Sequence, residues 1–248
     1  MYAYKGNYQC EVIIIDDGST DTPTLSLLEN FEQQNITVLH QDNKGPAAAR
    51  NTGVRYSNSE YILFLDSDNR IYPAYIDKGI KELEQNKQAA VVYAKPDFFG
   101  EKNESSFQTG SFDITRLLLA NYIDMCTIIR KAAWVEVKGI DENLVQYEDW
   151  EFWINIYKAG WEFVFIDEPL FEYRIRKDSL ISQMPEENFK KALAYIYKKH
   201  WDLLYTVYHQ LYAAKLMYEN DMQRPLRSFL KYSKKLLQRK TTTQDHKS

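Results

Sequence analysis

Two short apolar runs that each stop on acid constrain most of what this chain can fold into. Residues 11–15 read EVIII and run into Asp16-Asp17-Gly18-Ser19, while residues 61–65 read YILFL and run into Asp66-Ser67-Asp68. Continuous β-branched and aliphatic runs of this length are the pattern of strands buried on both faces. Between them lie a helix predicted over 23–34, capped by Thr20 or Asp21 with Pro23 in its first turn, a strand over 36–40 and a helix over 45–58 opened by Gly45-Pro46. Strand, helix, strand, helix, strand is the order of an α/β fold with a mostly parallel sheet flanked by helices, whose ligands sit at the carboxyl ends of the strands.

Both acidic clusters then fall at one carboxyl edge. A single Asp-x-Asp at a strand end is an ordinary turn, since Asp and Ser bond their own backbone there. Two such clusters side by side predict a ligand. Carboxylates spaced i and i+2 can hold a hard divalent cation by oxygen, and such an ion can grip a diphosphate. Zinc is a poor candidate, because His40, His200, His209 and His246 do not pair at zinc-ligand spacing.

The chain has 248 residues with 44% hydrophobic content, enough for a sizeable core. Its two cysteines, Cys10 and Cys126, make no disulfide framework and suit a reducing cytoplasm. No apolar run reaches the ~20 residues that a bilayer-spanning helix needs. The net charge of −4 conceals an acidic stretch up to residue 185 and a basic one after it. The basic part places aromatics, leucines and lysines at helical intervals, first from 189 to 218 and again after Pro225. This predicts a basic amphipathic helical extension over 186–240 and a disordered tail over 241–248, with peripheral contact at the inner face of a membrane as one use of the helices.

Taken together, EVIIIDDGSTD, NKGPAAARNTG, EYILFLDSDN and YEDWEFWINIYKAGW resemble the inverting family 2 glycosyltransferases, in that family's order and spacing, from residue 9 to about 182. The resemblance implies the GT-A fold and transfer of a sugar from a nucleotide-diphosphate sugar, a UDP-sugar in most cases, during polysaccharide or glycoconjugate synthesis. By the same resemblance Asp16 bonds the nucleotide base with Asp17 beside it, and Arg50 lies near the nucleotide. Asp66 faces the ribose, and Asp68, with Asp66 next to it, holds Mn²⁺ or Mg²⁺ against the diphosphate. The family's general base lies in an ED pair, which is Glu148-Asp149 here, with Asp149 as the base. Acids in a first helical turn are otherwise explained by the macrodipole, which lowers a carboxylate's pKa where a base benefits from a raised one.

Further on, FVFIDEPLFEYRIRKDSLI predicts a strand, a turn at Pro169, a second strand and a basic loop. The family's corresponding segment closes over the diphosphate, which implies that role for Arg174 or Arg176. Residues 92–124 carry no nameable chemistry and are expected to line the acceptor side. Only ten residues precede the EVIII strand, where family members open with a further strand and helix. The expectation is therefore a GT-A domain over 1–185 lacking its first strand, to be completed by upstream sequence or by a second copy as a homodimer. The partners implied are a nucleotide-sugar donor and a saccharide or lipid-linked acceptor, with no nucleic acid. The alternative is a catalytically inactive remnant that binds nucleotide or serves as an interaction module.

Overall fold

The computed structural model describes residues 4–101, 108–176, 185–225 and 227. Its first elements are β1 (Ile13–Asp17), α1 (Thr22–Gln33), β2 (Thr37–Gln41), α2 (Pro46–Tyr56) and β3 (Tyr61–Leu63). Then come β4 (Arg70–Ile71), α3 (Pro73–Gln85), β5 (Ala89–Gly100), α4 (Ile114–Leu119), β6 (Ile128–Arg130) and α5 (Lys131–Glu136). The last are α6 (Glu148–Lys158), β7 (Glu162–Ile175), α7 (Glu186–Lys199) and α8 (Trp201–Gln223). Asp21 caps α1 by accepting a 3.0 Å hydrogen bond from the Thr24 amide. β1 begins two residues later than predicted and takes in its acids, because Asp16 and Asp17 pair with His40 and Gln41 in the ladder with β2.

The mostly parallel single sheet expected from the sequence is not what forms. β1 and β2 make a two-stranded parallel sheet, and a second sheet has the order β3-β6-β5-β7-β4. In that second sheet β5 and β7 are parallel, while β3–β6, β5–β6 and β4–β7 are antiparallel. The architecture is α/β with a mixed sheet, and the two acidic clusters end strands of different sheets. The sequence reading failed at β3 for a physical reason: an apolar run records that a strand packs into the interior, not which way its neighbour runs. The partner of β3 is β6, a three-residue strand that is entirely buried.

The predicted strand, turn and strand around Pro169 is also corrected. β7 runs unbroken from Glu162 to Ile175, with Pro169 opposite Lys95 where the register with β5 slips on either side of Lys95. Proline lacks the N–H that a regular ladder needs, and an irregularity in the pairing accommodates the missing donor without ending the strand.

The core that positions the site lies on α6. Trp150, Phe152, Trp153, Ile154 and Ile156 are all at most 1% exposed, each ring contributing about 3 kcal/mol by leaving water. Both indole N–H groups are satisfied: Trp150 donates to the Leu117 carbonyl at 2.5 Å and Trp153 to the Ile123 carbonyl at 3.1 Å. Those two bonds fasten the segment from α4 to β6 onto the helix that begins with Glu148-Asp149.

The chain divides into two compact units between His200 and Trp201, so α7 belongs to the first and α8 to the second. Along α8, Lys215 lies 3.8 Å from Glu219 one turn on, and Trp201, Tyr205, Tyr208 and Tyr212 are exposed. In α7, Lys190 and Lys191 pair with Glu186 and Glu187 one turn earlier at 2.7 and 2.8 Å. The helix expected after Pro225 lies almost entirely outside the described residues, as does the tail at 241–248. Among the described residues no helix is long and apolar enough to cross a membrane.

Candidate active site

At the end of β1, Asp16 is 6% exposed and accepts the Ser19 amide at 2.9 Å, while its other oxygen lies 2.8 Å from His40 Nδ1 at the end of β2. The Ser19 hydrogen bond, aided by His40, outweighs burial and keeps its pKa below the usual carboxylate range. Asp17 has both oxygens committed to the turn before α2. It accepts Gln41 Nε2 at 2.7 Å, the Lys44 amide at 2.9 Å and the Gly45 amide at 2.8 Å. This turn needs Gly45, whose φ of +88° is left-handed backbone, and it aims α2.

Arg50 is the junction of the site. Its Nη2 donates to Asp66 Oδ1 at 2.8 Å and its Nη1 to Glu148 Oε1 at 2.5 Å, so one guanidinium joins the acidic turn after β3 to the first turn of α6. Burial pulls the Arg50 pKa down, but Asp66 and Glu148 more than restore it and keep the group charged. The acidic turn is closed by the Asn69 amide donating to the Asp66 carbonyl at 3.0 Å. Asp68 faces β7: its Oδ2 is 3.3 Å from Arg176 Nε, and Arg174 Nε donates to its carbonyl at 3.2 Å. Arg174 is further held by its amide, which donates to Asn69 Oδ1 at 3.0 Å, and by the Phe99 ring 4.8 Å below its guanidinium.

Asp149 is electrostatically unusual. Burial first, then the neighbouring Glu148 charge, push its pKa well above the ordinary carboxylate range, although Arg50 and the Trp150 amide pull the other way. Desolvation therefore outweighs the lowering expected of a helix N-terminus. A carboxylate poised in this way suits a general base.

Three neighbours of these residues went unnoticed in the sequence. Asn121 donates to Asp149 Oδ2 at 2.8 Å and fixes its own amide by accepting from the Ile123 N–H at 3.1 Å. Asp124, with burial and Asp66 as the main causes, has its pKa raised to about 7. Tyr173 on β7 is raised to about 12 by burial and by the charges of Asp124, Asp66, Asp68 and Asp149. The charges of Asp66, Asp68, Asp124 and Asp149 thus all act on one phenol. Asn121 and Asp124 sit in NYIDMC, a stretch with neither periodicity nor motif; its only sequence signal is an acid and an amide among apolar residues.

Arg50, Asp66 and Glu148 are brought into direct contact, Asp68 joins Arg174 and Arg176, and Asp149 shares the same electrostatic field. No hydrogen bond among the described residues ties Asp16 or Asp17 to Asp66, Asp68 or Asp149.

Next to Arg50, Asn51 anchors the loop leading to α6. Its Nδ2 donates to the Ile140 carbonyl at 2.8 Å and to Glu142 Oε1 at 2.9 Å, while its Oδ1 accepts from the Ile140 amide at 2.9 Å and Trp134 Nε1 at 3.0 Å. Asn51→Ala leaves buried donors without acceptors, and urea unfolding should show a loss of about 2–3 kcal/mol. Gly139 approaches so closely that an added Cβ would lie 2.8 Å from Asn51 Oδ1.

Among the described residues no three His, Cys, Asp or Glu side chains form a ready-made metal cage. Mg²⁺ or Mn²⁺ held against a diphosphate needs less: one or two carboxylates, with phosphate and water oxygens completing the shell. Asp66 and Asp68, whose side chains are 40% and 31% exposed, fit that requirement as an oxygen-only pair within reach of solvent.

Comparison with known proteins finds relatives among glycosyltransferases. An uncharacterized glycosyltransferase of Rickettsia bellii is 32% identical over 184 residues, covering 71% of this chain and 26% of that protein. The minor teichoic acid biosynthesis protein GgaB of Bacillus subtilis is 26% identical over 242 residues, covering 87% of this chain and 27% of that one. The crystal structure of S. aureus TarS 1-349 superposes with a TM-score of 0.55 at 22% identity, covering 66% of this chain and 51% of TarS 1-349. This chain thus spans about a quarter of those two relatives and half of the solved fragment. Residues 4–142 match Glycosyl transferase family 2 and so include Asp16, Arg50, Asp66 and Asp68 but stop short of Glu148. The chain belongs to glycosyl transferase family 2.

Proposed function

We propose that this chain carries the GT-A type of sugar-transfer site, moving a sugar from a nucleotide-diphosphate donor, UDP-linked, to an acceptor hydroxyl with inversion at the anomeric carbon. The observation that carries the reading is the Arg50 bridge, which ties Asp66 of the acidic turn to Glu148 beside Asp149. In this scheme Asp16 accepts from the base and Asp66 from the ribose. Asp68, aided by Asp66, would hold Mn²⁺ or Mg²⁺, an ion that neutralises charge developing on the departing diphosphate. Arg174 and Arg176 leave Asp68 to clamp phosphate oxygens. Asp149 takes the proton of the acceptor hydroxyl as its oxygen forms the new bond on the face opposite the leaving group. The electron pair of the broken glycosidic bond leaves with the diphosphate, and one displacement inverts the centre. Asn121 holds the Asp149 carboxylate in line.

The GgaB relationship supports an acceptor from a surface polymer, saccharide or lipid-linked. The second reading, nucleotide binding without turnover, is favoured by one observation: among the described residues no ladder joins β1–β2 to the five-stranded sheet. Titrating UDP into the protein with and without Mn²⁺, then screening UDP-sugars for consumption, separates the two. The transferase reading expects UDP affinity to rise at least about tenfold with Mn²⁺ and one donor to be consumed. Metal-dependent binding with no donor consumed favours the second reading, and metal-independent binding contradicts the assignment of Asp68.

A further inference from the structure

α6 starts without the usual help. The residue before it, Tyr147, is in left-handed backbone at φ +63° and makes no side-chain cap. The Trp150 amide of that turn donates instead to Asp149 Oδ1 at 2.7 Å, so the helix start and the Asp149 carboxylate hold each other. This turn carries Glu148 and Asp149, whose placement has to be held closely.

A further restraint comes from the end of α7. Glu151, in the same first turn, is 0% exposed, and its Oε1 is 2.8 Å from His200 Nε2 and 2.9 Å from Lys199 Nζ. His200 is itself 2% exposed. Lys199 Nζ also reaches Asp141 Oδ2 at 2.5 Å, and Tyr195 Oη donates to that oxygen at 2.8 Å. Asp141 belongs to the loop that leads into α6 and caps the Asn143 amide at 3.0 Å. Burial depresses the Lys199 pKa, but Asp141 and Glu151 more than offset it, so the ammonium stays charged. Two further contacts fix α7 here: Phe189 packs edge-on against Tyr147 at 5.4 Å, and Tyr197 Oη donates to the Leu118 carbonyl at 3.0 Å. The last turn of α7 therefore grips both the approach to α6 and its first turn.

We propose that His200 and Lys199 are positioning residues, which hold the Glu151 carboxylate and through it the Glu148-Asp149 turn in the geometry needed for proton transfer. Neither touches substrate. The inference rests on the transferase reading above, with Asp149 as base, and extends the working site to a helix outside the matched family region.

His200→Leu removes a donor of similar bulk from Glu151, whereas His200→Gln can still donate to it. In the full chain, kcat for Mn²⁺-supported consumption of the UDP-sugar should fall about tenfold or more in His200→Leu, as small displacements of a reacting group do. KM for the donor and the affinity for UDP with Mn²⁺ should stay within about twofold, since donor binding is made elsewhere. His200→Gln should recover most of kcat. Lys199→Met takes the second donor from a more open position, and it should show the same split if His200→Leu does not fold. Unchanged kcat in the folded variants overturns the inference, as does a loss shared equally with UDP affinity and not recovered by Gln. A folded wild-type protein that consumes no donor removes the transferase reading and this inference with it. Donor consumption that Asp149→Asn stops but His200→Leu does not slow removes the inference alone.

Discussion

Asp149→Asn should stop sugar transfer while leaving donor binding and the fold intact. The substitution keeps the shape and one acceptor oxygen, which serves either the Asn121 amide or the Trp150 N–H, so one of these two contacts is lost. What disappears is the capacity to take a proton, a contribution of about 10²–10⁴-fold for a positioned base. Isothermal titration with UDP and Mn²⁺ should give wild-type affinity, and turnover should fall by that factor. The pH dependence carries the same signature. Because burial and Glu148 raise the Asp149 pKa, the ionised base is lost as pH falls through a range displaced upward from that of an ordinary carboxylate. Stability runs the opposite way. A carboxyl whose native pKa is raised binds a proton that the unfolded chain releases above about 4, so the native state loses stability as pH rises through that window. Asp149→Asn should remove that loss and be as stable as wild type or more so at pH 8. Full turnover in the variant would exclude Asp149 as the base.

Arg50→Met has the largest expected effect on the fold of the site. The methionine retains much of the aliphatic bulk but leaves Glu148, 7% exposed, with a buried charge and no cation. Removing one member of a buried pair costs about 3–5 kcal/mol, and the partial exposure of Asp66 puts the expected loss near the lower end. Urea unfolding would measure it. Glu148→Gln in the same background should recover part of the loss, since the uncompensated charge is then gone, and the two changes should be non-additive because they share one contact. Catalysis should fall with stability here, as the same guanidinium orients the acidic turn and the ED pair. A variant as stable as wild type would mean that the bridge is a surface ion pair of little consequence.

Local grammar was legible where short-range chemistry decides structure. Asp21 as a cap, Pro23 and Pro46 in first turns, and the inward set Trp150, Phe152, Trp153 and Ile156 each follow from rules acting within a few residues. Pairing was less legible, because β3 finds its partner in β6 more than sixty residues later, and nothing in YILFL distinguishes a parallel neighbour from an antiparallel one. Pro169 misled for a related reason: a break in one strand's hydrogen bonding reads as a turn unless the partner strand's irregularity is known. For the site, the two acidic clusters stood out by their place at strand ends, whereas the ED pair took its meaning from resemblance. Arg50 was legible only through resemblance, and its role as the link between the two motifs came from geometry. Asn121, Asp124, Glu151 and His200 carry no local signature, since each acquires its role from a partner distant in sequence.

In the proposed function the acidic turn after β3 and the ED pair opening α6 serve one diphosphate-binding site. A crystal structure with Mn²⁺ and UDP bound tests it most directly. The account predicts the ion on Asp68, the diphosphate beside Arg174 or Arg176, and the Asp149 carboxylate facing the side of the β-phosphate where a sugar would be attached. UDP bound away from that site, or Mn²⁺ held by other residues with Asp68 still paired to Arg176, would contradict it.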